Sequence, residues 1–224
     1  MSFWNQYNLI DPASPIQAQM TLFHDHALIL LIGIFVLVAI LGAKLIFNKL
    51  SSRYMYEAQT LEVVWTIMPA FFLVWLAIPS LRLLYLTDEQ PLVGNVTKAI
   101  GHQWYWSYEA GNLNNEMNDS YMKSTDSLTL GDYRLLEADY HSVIPALMDN
   151  QIIVTSTDVI HSFAVPSLGV KVDAVPGRLN ILNIFPSVTG VFYGQCSEIC
   201  GANHSFMPIV VEAIPLEDYV NLSL

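Results

Sequence analysis

The densest group of metal-binding residue types lies in the last quarter of the chain, in the run GQCSEICGANHSFMP. The residues concerned are Cys196, Glu198, Cys200, His204 and Met207, with His161 located 35 residues before Cys196 in IHSFAVPS. Thiolates, imidazoles and a thioether suit copper or zinc better than magnesium or calcium. A one-copper electron-transfer site uses one Cys, two His and a weak axial Met. Because a second Cys is present here and two thiolates can bridge two ions, we predict a dinuclear copper centre that relays single electrons.

Other interpretations of the same residues exist. Cys196 and Cys200 are the only cysteines, and on the outer side of a membrane such a pair often forms a disulfide. Their spacing also fits half of a zinc site. A membrane-anchored copper chaperone or a disulfide-stapled adhesion domain would fit part of the pattern, but neither accounts for Met207. Copper content separates these classes: two ions of mixed valence, one ion, or none.

Composition narrows the class of protein. The chain has 224 residues, of which 53% are hydrophobic and 13% are charged, and its formal net charge is −11. The segment 88–224 holds 16 acidic and 5 basic residues, whereas the remainder is balanced. An acidic chain excludes nucleic acid as a partner, since phosphates require a basic surface.

Two long uncharged runs lie in the first 90 residues. One covers 27–43 and continues past Lys44, and the other covers 63–81, between Glu62 and Arg82. Each is about long enough to cross a bilayer, although a buried helix of a soluble protein is the alternative. We predict transmembrane spans at about 27–47 and 63–86.

The charges flanking these spans predict their orientation. The loop between the spans carries Lys44, Lys49 and Arg53 against Glu57, and the tail before the first span has no Lys or Arg. By the positive-inside rule the loop faces the inner compartment. Both termini and the C-terminal domain are then expected on the outer side. The first 15 residues have neither a basic n-region nor an apolar h-region, so we expect the first span to direct insertion.

After Pro91 the pattern changes to short β-rich runs between turn residues, which is typical of a sandwich or barrel. The predicted strands are Val96–Tyr108, Tyr133–Ala138, Ile152–Ser156, Leu179–Phe185, Val191–Gly194 and Ile209–Ile214. The predicted connecting stretches are Gly111–Asn118, Ser124–Asp132 and Pro166–Pro176. In this arrangement His161 lies at one strand end, and the Cys-to-Met run forms the loop between the last two strands.

Five segments together resemble subunit II of cytochrome c oxidase in its mitochondrial form, and the likeness covers nearly the whole chain. They are FHDH at 23–26, TIMPAFFLVWLAIPSLRLLY at 66–85, GHQWYWSYE at 101–109, HSFAVPSLGVKVDAVPGRLN at 161–180 and YGQCSEICGANHSFMPIV at 193–210. The resemblance implies an α+β membrane protein. Its residues 1–90 would form an N-terminal tail and a transmembrane helical hairpin. Residues 91–224 would form a cupredoxin-like Greek-key domain with a dinuclear copper centre.

The resemblance also implies a function. The chain would be a subunit of cytochrome c oxidase in the mitochondrial inner membrane, with its copper domain and both termini in the intermembrane space. It would accept electrons from cytochrome c and pass them to the haem/copper catalytic subunit, subunit I, which reduces oxygen to water with proton pumping. This chain alone would not reduce oxygen, because it has no evident haem site.

Roles for individual residues follow from the same resemblance. Cys196 and Cys200 would bridge two copper ions. His161 and Met207 would complete the coordination of one ion, and His204 with the main-chain carbonyl of Glu198 would complete that of the other. The Glu198 carboxylate would bind a magnesium ion shared with the catalytic subunit.

Further implied roles lie outside the copper ligands. Trp104, next to Tyr105, would be the entry point for electrons, while Gln103 and His102 are interpreted as structural. Glu62 would lie at the mouth of a proton path, although a carboxylate in the first turn of a helix is also favoured by the helix dipole. The donor-docking carboxylates would be Glu109, Asp119, Asp139 and Asp158. Where the family often has an acidic cluster, this chain has Asn112, Asn114 and Asn115, with Glu116 nearby.

Overall fold

The computed structural model describes residues 5–90, 94–111 and 117–222. By their internal contacts these residues divide into two compact units. One unit joins the described part of 1–18 to that of 87–224, and the other is 19–86. The boundary predicted at 90/91 touches residues 91–93, which lie outside the described part, and it stays a prediction.

Two long helices form most of the N-terminal region. Helix α1 covers Pro15–Phe47 and helix α2 covers Gln59–Asp88. Their most apolar windows have mean hydropathies of 2.9 and 2.0, and none of the side chains in those windows is buried. The expected apolar spans are therefore helical, and each helix begins before its apolar run. The start of α1 is set by Ser14, whose hydroxyl accepts the Gln17 N–H at 3.0 Å as an N-cap.

Within the described residues, the C-terminal region contains ten strands and one short α-helix. The strands are β1 Asn95–His102, β2 Tyr105–Ala110, β3 Met117–Ser120, β4 Ser142–Pro145, β5 Asn150–Ser156, β6 His161–Val165, β7 Val170–Ala174, β8 Asn180–Ile184, β9 Gly190–Gln195 and β10 Pro208–Ile214. Helix α3, Leu216–Leu222, follows β10.

The strands form three sheets. The largest has the order β3-β2-β1-β5-β8, the second has the order β4-β10-β9, and β6 pairs with β7. The β1–β5 and β4–β10 pairs are parallel and the others are antiparallel. Parallel neighbours cannot be joined by a tight turn, so the chain crosses between the sheets and encloses one core. That core includes Trp106, Phe163 and Ile144, all fully buried.

Two of the predicted strands are wrong. The segment predicted as one strand at Val96–Tyr108 is the hairpin of β1 and β2, which turns at positions 103–104. The segment Tyr133–Ala138 forms turns and only an isolated bridge at Ala138, and Leu135 there has a φ of +68°. Alternation of apolar and polar residues predicts strand whether or not a partner is available, and tertiary pairing decided both cases.

No bounds were predicted for four strands, β3, β4, β6 and β7, although His161 was expected at a strand end. Strand β7 lies inside the stretch expected to be a connection at Pro166–Pro176, and β3 begins inside the one expected at Gly111–Asn118. These strands have only four or five residues, and such short runs provide too little periodicity to be recognised.

The N-terminal tail belongs to the β domain. The Ala13 N–H donates to the Ser167 carbonyl and the Ser187 N–H donates to the Ala13 carbonyl, each at 2.8 Å. The Ser14 hydroxyl donates to the Leu168 carbonyl at 2.7 Å. These bonds hold the tail against the loop that follows β6.

Candidate metal centre

The predicted ligands come from two places in the β domain. His161 is the first residue of β6, and the run from Cys196 to Met207 is the connection between β9 and β10, as the sequence predicted. His161 and Met207 are 0% and 1% exposed, and both cysteines are buried. Since both segments are anchored by strands of the core, their side chains are held in place by packing.

The side chains of the ligand set lie within contact distance of one another. The two Sγ atoms of Cys196 and Cys200 are 4.0 Å apart. Cys196 Sγ lies 3.9 Å from His161 Nδ1 and 3.4 Å from the Glu198 carbonyl oxygen. Cys200 Sγ lies 3.5 Å from His204 Nδ1 and 3.6 Å from Met207 Sδ. Each sulfur thus contacts one imidazole and one further ligand atom.

This donor set fits a thiophilic metal. The ligand atoms of His161, Cys196 and Cys200 all lie within 4.8 Å of one another. Two thiolates that share an ion at about 2.3 Å each can be up to about 4.6 Å apart, so the sulfur separation is compatible with a shared ion. A disulfide requires about 2.05 Å between the sulfurs, and both cysteines are free.

The two thiols differ in acidity. Burial opposes ionisation of Cys196, but hydrogen bonds from His161 and from backbone groups lower its pKa to about 7. Burial and the neighbouring Cys196 thiolate raise the pKa of Cys200 to about 12. A metal that binds both sulfurs must therefore displace a proton from Cys200.

Asp158 orients His161. Its carboxylate oxygen Oδ1 lies 2.8 Å from His161 Nε2, and Oδ2 accepts the Gln103 N–H at 2.7 Å. Burial opposes the shift of each pKa. Hydrogen bonds with Cys196 and Asp158 nevertheless raise the pKa of His161, and the hydrogen bond with His161 lowers the pKa of Asp158. With Nε2 bonded to the carboxylate, Nδ1 is directed at Cys196, and a metal-binding imidazole typically has such a partner.

Glycine at position 101 makes room for the His161 ring. A Cβ atom on Gly101, in β1, would lie 2.9 Å from His161 Cδ2. Trp106 packs edge-on against the same ring, with centroids 6.1 Å apart. Gly101 was not among the predicted site residues, since its sequence signal is only that of a glycine inside a strand pattern.

Trp104 lies over the ligand loop. A Cβ atom on Gly201, which has a φ of +133°, would lie 2.9 Å from Trp104 Cζ2 and 3.1 Å from Gln103 Nε2. Gln103 Nε2 also donates to the Cys200 carbonyl at 2.6 Å. The half-buried indole is thus packed directly against the backbone that follows Cys200.

Tyr105, the other residue predicted beside Trp104, lies in a stack of rings. Its ring stacks on His102 at 4.5 Å and on Tyr121 at 4.5 Å. Tyr121 is 46% exposed, so the stack extends from the surface of the domain to β1.

Each of the four predicted docking acids has a partner within the domain. Glu109 pairs with Lys98 Nζ at 2.7 Å, Asp119 accepts the Ser107 hydroxyl at 2.6 Å, and Asp139 accepts the Tyr121 N–H at 2.7 Å. Asp158 binds His161 as described above. All four remain at least partly exposed. The Asn112, Asn114, Asn115 and Glu116 positions lie outside the described residues.

Two further predicted acids lie elsewhere. The Glu198 side chain is exposed, while its carbonyl oxygen points to Cys196. Glu62 is exposed in the first turn of α2, where the dipole of the helix favours a carboxylate.

Comparison with known proteins gives the family. The profile described as "Cytochrome C oxidase subunit II, periplasmic domain" matches residues 95–214, and the corresponding transmembrane-domain profile matches residues 2–83. The cytochrome c oxidase subunit 2 of Albinaria turrita is 62% identical over 222 residues, covering 99% of each chain. The chain belongs to the cytochrome c oxidase subunit II family. The subunit 2 of Yponomeuta malinellus is 53% identical over 98% of this chain and 96% of its own.

Solved structures of the family share the β domain. The periplasmic domain of subunit II of cytochrome oxidase from Bradyrhizobium japonicum superposes with a TM-score of 0.55 and 41% identity. The match covers 59% of this chain and 93% of the Bradyrhizobium chain. A subunit II domain in a mixed disulfide intermediate with a thioredoxin-like protein has a TM-score of 0.52 and 39% identity. This match covers 61% of the present chain and 92% of the matched chain.

Membership confirms several of the sequence predictions. This subunit II has two transmembrane helices and a cupredoxin-like domain, and it is a component of a haem–copper oxidase with a catalytic subunit. The domain belongs to a copper-binding family, and His161, Cys196 and Cys200 are grouped as a metal site would require.

Proposed function

We propose that this subunit II is the electron-entry subunit of its oxidase. It takes electrons from cytochrome c at a dinuclear copper centre and passes them to the haem/copper catalytic subunit, which reduces oxygen to water with proton pumping. The observation that carries the proposal is the convergence of two thiolates, two imidazoles and one thioether on one buried point. Copper bound there supplies one-electron redox chemistry.

The ligands divide into two sets around the sulfur pair. Cys196 and Cys200 would hold both ions, since each sulfur contacts one member of each ligand pair. His161 Nδ1 and Met207 Sδ would serve one ion, and His204 Nδ1 and the Glu198 carbonyl oxygen would serve the other. The contacts of Cys196 with His161 and of Cys200 with His204 support the placement of one imidazole at each end.

The chain limits the movement of these ligands. Met207 and His161 are fully buried, and Asp158 and Trp106 fix the His161 ring from two sides. A ligand frame that keeps its geometry in both oxidation states reorganises little when an electron arrives. Fast electron transfer requires such a frame.

We assign the entry of electrons to Trp104. The indole touches the Gly201 backbone, one residue after a bridging cysteine, and Gln103 links the same turn to the Cys200 carbonyl. Tyr105 and the rings stacked on it form an aromatic surface beside the indole, against which a donor protein can pack.

Charge and position support a basic donor such as cytochrome c. Residues 88–224 hold 16 acids against 5 bases, and complementary charge raises the rate of encounter. Asp139, Asp119, Glu109 and Asp158 remain the proposed docking acids. Of these, Asp158 has its main contacts with His161 and Gln103, so its effect on docking is expected to be the smallest.

The same proposal places the protein in the mitochondrial inner membrane, with the copper domain and both termini in the intermembrane space. The tail up to residue 14 is hydrogen-bonded to the β domain, so both lie on one side of the membrane, as a hairpin requires. The exposed Glu198 carboxylate is assigned to a magnesium ion shared with subunit I, and Glu62 to the entrance of a proton path.

Copper analysis tests the dinuclear centre. The β domain produced without the hairpin, as was done for the Bradyrhizobium relative, should bind two copper ions of mixed valence. Cys196→Ser or Cys200→Ser should abolish the pair, because each thiolate serves both ions. Met207→Leu should keep two ions and shift the potential, since an axial thioether tunes the site. Met117→Leu, at an exposed methionine, is the control. One copper or one zinc per wild-type chain would contradict the proposal.

A second experiment tests the entry point. Trp104→Ala in the intact oxidase should slow reduction by cytochrome c while copper content and donor affinity stay nearly unchanged. Trp104→Phe, which keeps an aromatic ring over Gly201, should recover part of the rate. Stopped-flow reduction at the wild-type rate in Trp104→Ala would remove this residue from the path.

A further inference from the structure

Helices α1 and α2 enclose a cavity of about 220 Å³ at one end of the hairpin. Four residues of α1, from Gln19 to His26, line it at a spacing of 3, 1 and 3 residues. Four residues of α2, from Pro79 to Leu86, line it at the same spacing. Residues at this spacing lie on one face of a helix, so the cavity lies where the two faces meet.

Two nitrogen-bearing side chains in this cavity have no hydrogen-bond or ion-pair partner within the part of the chain that the structure describes. Among residues 5–90, 94–111 and 117–222, Arg82 takes part in no ion pair. The Nε2 atom of His26 is buried without a hydrogen-bond partner in the same described part of the chain. The other side of the His26 ring packs edge-on against Trp75, with centroids 4.6 Å apart, which holds the ring in place. A buried donor without a partner is costly, so His26 Nε2 points to a ligand that accepts hydrogen bonds. The exposed Arg82 guanidinium lines the same cavity and adds a positive charge to it.

The depth of the cavity identifies the kind of ligand. His26 directly precedes the uncharged run at 27–43, and Arg82 directly follows the uncharged run at 63–81. Both side chains therefore lie at one boundary of the hydrocarbon layer, where the phosphates of lipid headgroups lie. Leu22, Phe23 and Leu86 line the cavity about one helical turn further from the hydrocarbon layer, whereas Pro79 lines its hydrocarbon side.

We propose that this cavity binds the phosphate group of one phospholipid. The Arg82 guanidinium donates to two phosphate oxygens, in the bidentate geometry for which arginine is suited. The His26 Nε2–H donates to a third oxygen. Asp25, the nearest acid in sequence, contacts His24 at 3.2 Å and is not part of the cavity lining.

Pro79, which lines the cavity, affects the hydrogen bonding of helix α2. Proline has no N–H and its ring clashes with the carbonyl of the residue four positions earlier, which here is Trp75. The carbonyl of Trp75, whose ring packs against His26, therefore has no N–H partner at position 79 of the helix. This site is independent of the copper chemistry proposed above.

The phospholipids retained by the purified oxidase complex test the proposal. We expect native mass spectrometry of the detergent-exchanged complex to show one tightly held phospholipid fewer for Arg82→Gln than for wild type. Arg53→Gln, which removes the same charge from the loop at the other end of the hairpin, should retain the wild-type number. Equal retention in all three complexes would overturn the proposal.

Titration of delipidated complex identifies the ligand. Short-chain phosphatidylglycerol should bind on the order of tenfold more weakly to Arg82→Gln, since a hydrogen bond to a charged group is lost. Inorganic phosphate should bind weakly to both, and equal binding of free phosphate and lipid would overturn the assignment to a lipid. If Arg82→Gln loses the catalytic subunit while its bound lipid is unchanged, Arg82 pairs with a protein carboxylate and the proposal is wrong.

A second variant covers the case in which Arg82→Gln does not assemble. His26→Phe keeps the ring against Trp75 and removes the Nε2 donor, so the fold of the hairpin is preserved. The same tenfold weakening of phosphatidylglycerol binding is expected, and unchanged binding would contradict the role of His26.

Discussion

The indole of Trp104 reaches the ligand loop because residue 201 has no side chain. Gly201 combines a φ of +133°, which glycine adopts readily, with a distance of 2.9 Å from its hypothetical Cβ to the indole. The family resemblance pointed to Trp104, whereas Gly201 carries no such signal in the sequence. The absence of a side chain at residue 201 allows the contact between the proposed entry point and the backbone next to Cys200.

Gly201→Ala should move the indole away from the loop and strain the backbone next to Cys200. We expect electron entry from cytochrome c to slow on the order of ten- to a hundredfold, as small misplacements of reacting groups do. Stopped-flow reduction and tryptophan fluorescence of the intact oxidase measure the two effects.

Gly131→Ala is the matched control for this prediction. Gly131 also has a positive φ, +108°, but nothing lies within 4 Å of its hypothetical Cβ. The Gly131→Ala variant should have a free energy of unfolding about 1–2 kcal/mol lower, from backbone strain alone, and should be reduced by cytochrome c at the wild-type rate. If Gly131→Ala slows reduction as much as Gly201→Ala, the effect comes from strain and not from the indole.

At the scale of elements, β1 and β6 build the imidazole side of the metal centre together. His161 begins β6, while β1 contributes Gly101, against which the ring lies. The loop before β6 supplies Asp158 to the far nitrogen of the ring. Three separate segments therefore hold the His161 ring in place. A substitution in β1 is expected to change the affinity of the proposed site for copper.

Gly101→Ala should push the His161 ring out of its position, because the new Cβ would lie 2.9–3.2 Å from three of its carbon atoms. Copper affinity should fall on the order of 10- to 100-fold, as for the loss of other groups that orient a ligand. Competition with a copper chelator measures the affinity. Gly111→Ala, at the other end of the β1–β2 hairpin, should leave it unchanged, and equal loss in both variants would attribute the effect to the fold of the hairpin.

On the scale of the whole molecule, charge and apolar surface are separated along the chain. The hairpin region is balanced in charge, whereas residues 88–224 hold the entire net −11. Some acids of the β domain are paired with nearby bases: Lys98 pairs with Glu109, and Lys123 pairs with Asp132. The net charge of the domain stays negative, and its electrostatic field suits a basic protein partner.

Docking should weaken with added salt, because surface charges are screened over about 10 Å at 0.1 M. Asp119→Asn and Asp139→Asn should each lower the on-rate of cytochrome c on the order of two- to fivefold at low salt and little at high salt. Glu57→Gln removes one charge from the loop between the two helices, which we propose lies on the opposite side of the membrane, and should have no effect. Salt-independent on-rates in the wild type would contradict electrostatic steering.

Much of this architecture follows from local sequence. Charge-free runs of about 20 residues have few other stable environments than a bilayer, so the two spans are determined by composition. The ligand types, and the placement of the Cys-to-Met run between the last two strands, are also local properties. The strands with clear alternation, such as β5 and β10, were predicted close to their actual bounds.

Tertiary structure decided the rest, because it depends on residues far apart in the sequence. The turn that splits β1 from β2, and the existence of the short strands β6 and β7, depend on which partner is available for pairing. The same is true of the site: Gly101, Gly201 and the Asp158 carboxylate have no metal-binding signal of their own. They act on the centre only because folding brings β1, the loop before β6 and the loop after β9 within van der Waals or hydrogen-bonding distance.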